Sequence, residues 1–584
     1  MALPDTEHLP LAQLKQYDAI QLFVERAIAV AKNWRLAENS VPVAQVCARL
    51  DGIPLAIELA AAQLKNFSVQ QIATRLDDRF NLLADNSRAA VPRHQTLRAT
   101  MDWSYELLSD AERAFLQRLS VFAGGWTLQA AKAVVDEPWT MSSHPTTDRY
   151  PLSTLDLLTL LIDKSLVVVE HKDAEMRYRL LETVRQYAHE KLVASGEAEQ
   201  TQIRHRNYFV KWIERASPHL QRADAIEWRD RVGWDYDNLR AALEHAAESD
   251  AHIALRIAWA LRQFWSWRGI IVEGREWLDR LIAKSESWGE TAQHAQVYNL
   301  AAYLANLVFD IPGGIRLAQQ GLTIARAAGD QAEIAYASAR LGFANTFNTH
   351  GDVPLARDCF ATSLDIFSNL GDKDMIAWST AFLGFNTARN GDPSRGVALM
   401  QEGIAQFRAL GDRTGLTDAL QILGIFLPLA GDSARGEPYC VESVEICREL
   451  HNKHNLANAL MILGRCLLRG GNYRRGFPYS VQAMQLYLKD GSETIAVMTI
   501  EEIAICIGML GKPESAARLY GAVKYQYETQ RASPLLQVGI YDKQWAHIRA
   551  LLGDARFENA LAEGRAMSLE QAVDDVLENI KTLA

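Results

Sequence analysis

The stretch GFNTARNGDPSRGVALMQEGIAQFRALGD, Gly384 to Asp412, decides the architecture of most of the chain. It places a small residue (Gly384), a turn glycine seven positions on (Gly391) and another small residue five later (Gly396). An apolar helical pattern then runs to the breaker Gly411-Asp412. Two antiparallel helices joined by a tight turn approach closely only where side chains are small, and glycine in the turn allows the backbone a positive φ. Outward from this stretch the pattern recurs: turn glycines stand at 351, 391, 431, 471 and 511, forty residues apart each time. Small residues precede the last four at Gly384, Gly424, Gly464 and Ala504, and the first has Gly342. Five residues after each turn come Ala356, Gly396, Gly436, Gly476 and Ala516. A fixed period of this length is the mark of a stacked repeat, each unit being one helical hairpin.

The spacing resembles a long variant of the tetratricopeptide repeat, as found in bacterial transcriptional regulators with ligand-sensing solenoids. The resemblance covers about 291–530, with a weaker copy at Gly269, Gly274, Trp277 and Leu281 that extends the array back to about residue 201. Placing the small glycine at position eight of each unit puts Tyr336, Phe343, Trp378 and Phe385 on the first helices, with Asp418, Ile425, Asn458 and Arg465 as downstream equivalents. In a solenoid the first helices line the inner surface, so these side chains are the candidate groove for a protein partner or small effector. The same rings would serve equally as packing between helices. Asp412 reads as an exposed connection where substitution is nearly neutral.

Upstream, helix signals give way to β content. Ser109-x-x-Glu112 is a capping box opening a helix through Leu119, and Ser153 to Ser165 is a second helix. The β-branched run Leu166 to Glu170 and its return at Met176 to Leu181 form a hairpin, so the order suggests a winged helix. His94 to Trp126 and Arg177 to Leu192 resemble the winged-helix domain of NB-ARC (STAND) signal-transduction ATPases, and Gly52-Ile53-Pro54-Leu55-Ala56 resembles their G-L-P-L-A motif. The resemblance implies that Pro54 packs beside an adenine, making ADP or ATP the cofactor of a full-length relative. No G-x-x-x-x-G-K-[ST] stands in the chain, so the resemblance places the phosphate-binding core in an ATPase module upstream of residue 1. Leu181 and Glu182 occupy the histidine and aspartate positions of the family's M-H-D motif, a departure that removes its phosphate sensor.

The expected fold class is therefore mainly α, a winged helix followed by a tetratricopeptide-like α-solenoid. Its segments are an NB-ARC helical remnant (1–94), the winged helix (95–200), atypical repeats (201–290), the regular array (291–530) and C-terminal capping helices (531–584). With 61 basic against 71 acidic residues the net charge is −10, opposite to what attraction to phosphate backbones needs, and nucleic acid is not an expected partner. The candidate recognition helix carries Asp156 and Asp163, which points to an internal relay. Arg204-His205-Arg206 alternates with apolar residues and reads as a solvated face. Six scattered cysteines without a C-x-x-C pair, no metal motif, no nucleophile elbow and no eighteen-residue apolar run indicate a cytoplasmic, non-catalytic protein without metal or membrane span. The reading is a non-enzymatic regulatory scaffold. A DNA-binding regulator and an ADP-binding switch remain the alternatives.

Overall fold

The computed structural model describes 108–135, 152–172, 175–348, 351–489, 492–530 and 541–583, apart from Ser165 and Ala223. Of the first 107 residues it describes 16–30, 39–49, 67–75 and a few single positions. The chain divides into two compact units, 1–209 with 234–245, and 210–233 with 246–584.

The first unit opens with α1 (Asp18–Val30), α2 (Ser40–Arg49) and α3 (Val69–Arg75), packed around Ile20, Phe23, Val43, Cys47 and Ile72. Pro54 and its motif neighbours lie outside the described residues. The winged helix follows as α4 (Asp110–Leu119), β1 (Gly125–Thr127), α5 (Leu128–Val135), α6 (Thr154–Asp163), β2 (Val167–Lys172), β3 (Glu175–Leu180) and α7 (Glu182–Ser195). Both capping boxes form: the Ser109 hydroxyl accepts from the Glu112 N–H while Glu112 reaches back to the Ser109 N–H, and Ser153 and Asp156 repeat the exchange. Strand order is β1-β3-β2, all antiparallel, with Val169 opposite Tyr178 and Trp126 opposite Tyr178 on the other edge. The third strand is an addition to the hairpin that the sequence predicts, three residues being too short to show alternation. Phe122 and Trp126 stack at 5.0 Å inside the core.

Helices α8 (Ala198–Ala216), α9 (Ala225–Trp234) and α10 (Tyr236–Ser249) contribute to both units. His205 is buried, its Nε2 3.2 Å from Asn238 Oδ1, and burial pushes its pKa down to about 4. Arg206 is buried too, so Arg204-His205-Arg206 is not a solvated face. The apolar stripe of α8 runs through these positions and takes the histidine inside, where Asn238 satisfies its ring nitrogen.

The second unit is a run of hairpins. They are α11 (Ala251–Arg268) with α12 (Ile271–Ser285), α13 (Ala292–Leu307) with α14 (Ile311–Ala328), and α15 (Gln331–Phe347) with α16 (Val353–Leu370). Next come α17 (Lys373–Arg389) with α18 (Pro393–Leu410), α19 (Arg413–Leu429) with α20 (Ser433–Glu449), α21 (Lys453–Arg469) with α22 (Tyr473–Lys489), and α23 (Glu493–Met509) with α24 (Pro513–Gln530). Helices α25 (Asp542–Leu552), α26 (Asp554–Arg565) and α27 (Leu569–Leu583) close the end. Gly384 and Gly396 meet where α17 crosses α18: a Cβ on Gly384 would lie 2.7 Å from the Gly396 carbonyl oxygen and 2.8 Å from the Met400 nitrogen. The predicted turn glycines 391, 431, 471 and 511 have φ between 78° and 103°, whereas Gly351 is not among the positive-φ residues.

The connections between hairpins keep their own forty-residue register. Gly371 and Gly411 take positive φ, and His451 adopts the same conformation at φ 51° without being glycine. Each is followed by an Asp or Asn whose side chain accepts from a backbone N–H three residues on: Asp372 from Met375, Asp412 from Gly415 and Asn452 from Asn455. This corrects the expectation for Asp412, which is 2% exposed because the cap and the cavity described below enclose it.

Candidate functional site

Seven successive first helices of the second unit, α11 to α23 in odd numbers, contribute side chains to one cavity of about 270 Å³. Helical spacing explains how each supplies a stripe: Tyr336, Arg340, Phe343 and Phe347 lie at i, i+4, i+7 and i+11 on α15, and Met375, Trp378 and Phe382 line up on α17. Phe343 and Trp378 stack 6.1 Å apart at 16°, and Trp378 meets Phe382 at 4.3 Å, so one wall is a continuous aromatic surface.

Groups of both charges line this cavity. Arg340 lies 4.5 Å from the Tyr303 ring centroid and 5.5 Å from that of Trp378, and burial pulls its pKa down. Beside it, Arg262 covers the Trp259 ring at 4.5 Å and donates to the Trp259 carbonyl at 2.6 Å. Four acids, Asp372, Asp374, Asp412 and Asp418, line it as well. Arg222 holds Asp374 through two bonds of 3.0 and 2.7 Å, and the Tyr336 hydroxyl donates to Asp372 at 3.3 Å. Burial pushes Asp412 up to about 6, with the Asp374 carboxylate acting in the same direction and the Gly415 N–H and Arg222 opposing it. Asp418 rises to about 7 through burial first and the neighbouring Asp412 carboxylate second. Its one hydrogen bond among the described residues comes from Asn455 Nδ2, 3.4 Å away.

Of the sequence-predicted groove residues, Tyr336, Phe343, Trp378, Asp418, Asn458 and Arg465 all line this cavity, as does Ile425. Phe385 does not. It keeps the repeat register, but its ring is 1% exposed, 6.5 Å from Phe347 and 6.3 Å from Phe426, and belongs to the core between helices. Arg465 lines the wall with its guanidinium committed to Glu502, at 2.6 Å from Nε. Asn458 accepts from the Tyr487 hydroxyl. Sequence reasoning passed over Arg340, Arg262, Tyr303 and Asp412. Arg340 was within reach, lying between Tyr336 and Phe343 on the same helical stripe.

In the first unit the Arg177 guanidinium is buried against Asp235 and the Gly125 carbonyl, 3.1 Å away, a structural anchor for β3. Helix α6 carries no Arg, Lys, Asn or Gln, and Lys164 beyond its end pairs with Glu112. Leu181 is the cap residue of α7, and Glu182 binds Arg185 through two bonds of 2.7 Å. Among the described residues no cluster of three or more His, Cys, Asp or Glu side chains could hold a metal ion, and no helix is long and apolar enough to cross a membrane.

Residues 108–193 match the family described as a winged helix-turn-helix domain. Over 387 residues the chain is 38% identical to the Mycobacterium tuberculosis protein named "Putative HTH-type transcriptional regulator Rv0890c", a match covering 65% of this chain and 42% of that protein. Over 192 residues it is 46% identical to the "Uncharacterized protein Rv0894" of the same species, covering 33% of this chain and 47% of that one. The chain thus matches less than half the length of each relative. Among solved structures, it is similar to a signal transduction ATPase with numerous domains (STAND) carrying a tetratricopeptide repeat sensor from Pyrococcus horikoshii. That similarity has 16% identity and a TM-score of 0.47, over 97% of this chain and 75% of the other. A Rap protein complexed with competence and sporulation factor is similar at 12% identity and a TM-score of 0.39, over 63% of this chain and all of the other. The chain is mainly α, a winged helix-turn-helix domain followed by a tetratricopeptide-like solenoid, and it is homologous to proteins named as HTH-type transcriptional regulators.

Proposed function

We propose that this chain is the sensor and relay portion of a regulatory protein, in which the solenoid binds a small effector or partner segment and the winged helix passes the bound state onward. The segments read from the sequence, an NB-ARC remnant at 1–94, the winged helix at 95–200 and the repeats to 530 with their cap, are the parts of that device. The observation that carries the reading is the solenoid cavity, where an aromatic wall adjoins the Arg340 guanidinium and the Asp418 carboxylate, neither of them in an ion pair among the described residues. Similarity to proteins named as HTH-type regulators supports the regulatory output. A non-enzymatic role agrees with the binding character of both folds. Adenine contact at Pro54 is part of the same proposal and belongs to a longer relative.

The test is hydrogen exchange on the purified chain against a broad ligand library. A true effector raises the melting temperature and protects α15, α17 and α19; at a hundred times its Kd it adds about 2.7 kcal/mol of stability. Protection confined to the outward helices α16, α18 and α20 refutes the reading. A second reading, DNA binding by the winged helix, is favoured by the domain family itself. Against it, α6 offers none of the side chains that read base edges. A mobility shift by the chain at moderate salt that is lost on mutating α6 would establish it.

A further inference from the structure

The charge layout of the solenoid cavity narrows the chemistry of its occupant, an inference that rests on the sensor reading above. Arg340 spends its guanidinium on two ring faces, those of Tyr303 and Trp378, and among the described residues its side chain makes no ion pair and no hydrogen bond, Glu333 acting on it only as a longer-range charge. Five N–H donors on a permanently charged, largely enclosed group are a planar fork suited to a carboxylate. Arg262 strengthens this pole, its one bond going to the Trp259 carbonyl. The other cations near the cavity already have partners: Arg222 holds the cavity's own Asp374, Arg229 the Leu450 carbonyl and the Thr414 hydroxyl, Arg465 Glu502.

Among the acids of the cavity, Asp418 and Asp412 stand close enough to repel one another. Asp412 gives one oxygen to the Gly415 N–H, at 2.9 Å, and Asp418 has only the long contact from Asn455. A cation between them would relieve the repulsion. The chemistry favours an organic ammonium over a metal, because no ligand cluster for a metal is present among the described residues and the neighbouring wall is aromatic. Both signs of charge lie on one cavity, and the Tyr303 hydroxyl feels the positive charges of Arg340 and Arg262 as well as the negative charge of Asp418. A cavity that presents both signs suits a ligand that carries both.

We propose that the cavity takes an amino-acid-type zwitterion, a free amino acid or a peptide of two or three residues, with its carboxylate on Arg340 and Arg262, its ammonium between Asp412 and Asp418, and an apolar side chain against Trp378 and Phe343.

Calorimetric titration of the full chain tests this with L-leucine, L-phenylalanine, Leu-Phe and Leu-Leu-Phe, each also as the N-acetyl and the C-amide derivative. At least one free-termini probe should bind, and capping either terminus should weaken it by about tenfold or more, as expected when a charge-assisted bond is removed. Arg340→Gln should abolish the preference for free acid over amide, and Asp418→Asn the preference for free amine over acetyl, each without moving the other preference. Arg340→Lys, which keeps the charge, should retain part of the acid preference and guards against a folding artefact. Equal affinity for free and capped forms overturns the proposal. So does the absence of binding by every free-termini probe up to about 10 mM. If a ligand of another class binds and protects α15 to α19, the zwitterion assignment fails and the sensor reading stands; if ligands protect only the outward helices, both fail.

Discussion

Replacing Gly384 by alanine, the smallest change available, tests whether the repeat register rests on backbone contact. In an isolated helix the substitution is favourable, by about 1 kcal/mol, because alanine loses less backbone freedom. Here the added Cβ would meet the Gly396 carbonyl oxygen at 2.7 Å, the Met400 nitrogen at 2.8 Å and the Leu399 Cβ at 2.9 Å. Two of these are backbone atoms of α18, which cannot rotate away, so the hairpin must open by several tenths of an ångström. Overpacking of this kind costs about 1 to 3 kcal/mol, enough to cancel the propensity gain and leave a net loss. Gly424 is a control: its Cβ would meet chiefly the Cys440 sulfur, at 2.5 Å, a side chain with some freedom to turn. The order of stability by urea denaturation should be parent, then Gly424→Ala, then Gly384→Ala, with leucine worse than alanine at both. Because repeat arrays unfold in parts, the loss should appear first as faster hydrogen exchange in α17 and α18. A Gly384→Ala protein as stable as the parent would refute the close-crossing argument.

Asp412→Ala should cost about 1 kcal/mol through loss of the α19 cap while Asp412→Asn, which caps equally well, should cost almost nothing; equal melts for both would contradict the capping role. Phe385→Ala, in the core, should lose about 3 to 5 kcal/mol in denaturant titrations, whereas Trp378→Ala should melt closer to the parent and lose ligand affinity instead. Arg177→Ala leaves Asp235 buried without its partner and should destabilise the first unit by about 3 to 5 kcal/mol, read from exchange of α6 and β3 amides. The second unit should gain stability toward acid. Asp412, Asp418, Glu333 and Glu501 have carboxyls raised by burial to about 6 or 7, so the folded second unit binds more protons than the unfolded chain between about pH 4 and 7 and gains stability as pH falls through that window. In the first unit His205, lowered to about 4, and Asp235, raised to about 6 by burial, act in opposite directions as pH falls, so calorimetry from pH 7.5 to 5 should show the acid-side gain in the second unit, and Asp418→Asn should reduce it.

The array was legible because its cause is local. A turn that needs positive φ and a crossing that needs a missing side chain both write glycine at fixed offsets, and Gly391 at φ 103° and Gly384 against Gly396 are those two needs met. The groove was legible in part for the same reason: equal offsets on successive helices place Trp378, Asp418 and Asn458 on one surface. Phe385 shares that offset and still faces the core, since rings from the adjacent helices, Phe347 and Phe426, close over it. Repeat register reports which side of a helix a residue occupies, and neighbouring side chains decide whether that side is open. The charge poles were least legible. Asp412 looks in the sequence like any turn aspartate, being one of several Gly-Asp steps at hairpin connections. Only the fold shows that this carboxylate is enclosed beside Asp418 while Asp352, at the Gly-Asp step inside its own hairpin, caps its helix at the surface. Arg340 is likewise an ordinary helix residue until the rings of Tyr303, thirty-seven positions earlier, and Trp378, thirty-eight later, come to lie beside its guanidinium. Long-range placement of this kind leaves no periodic trace, so the specificity of a repeat protein is carried by residues that break its pattern and its stability by those that keep it.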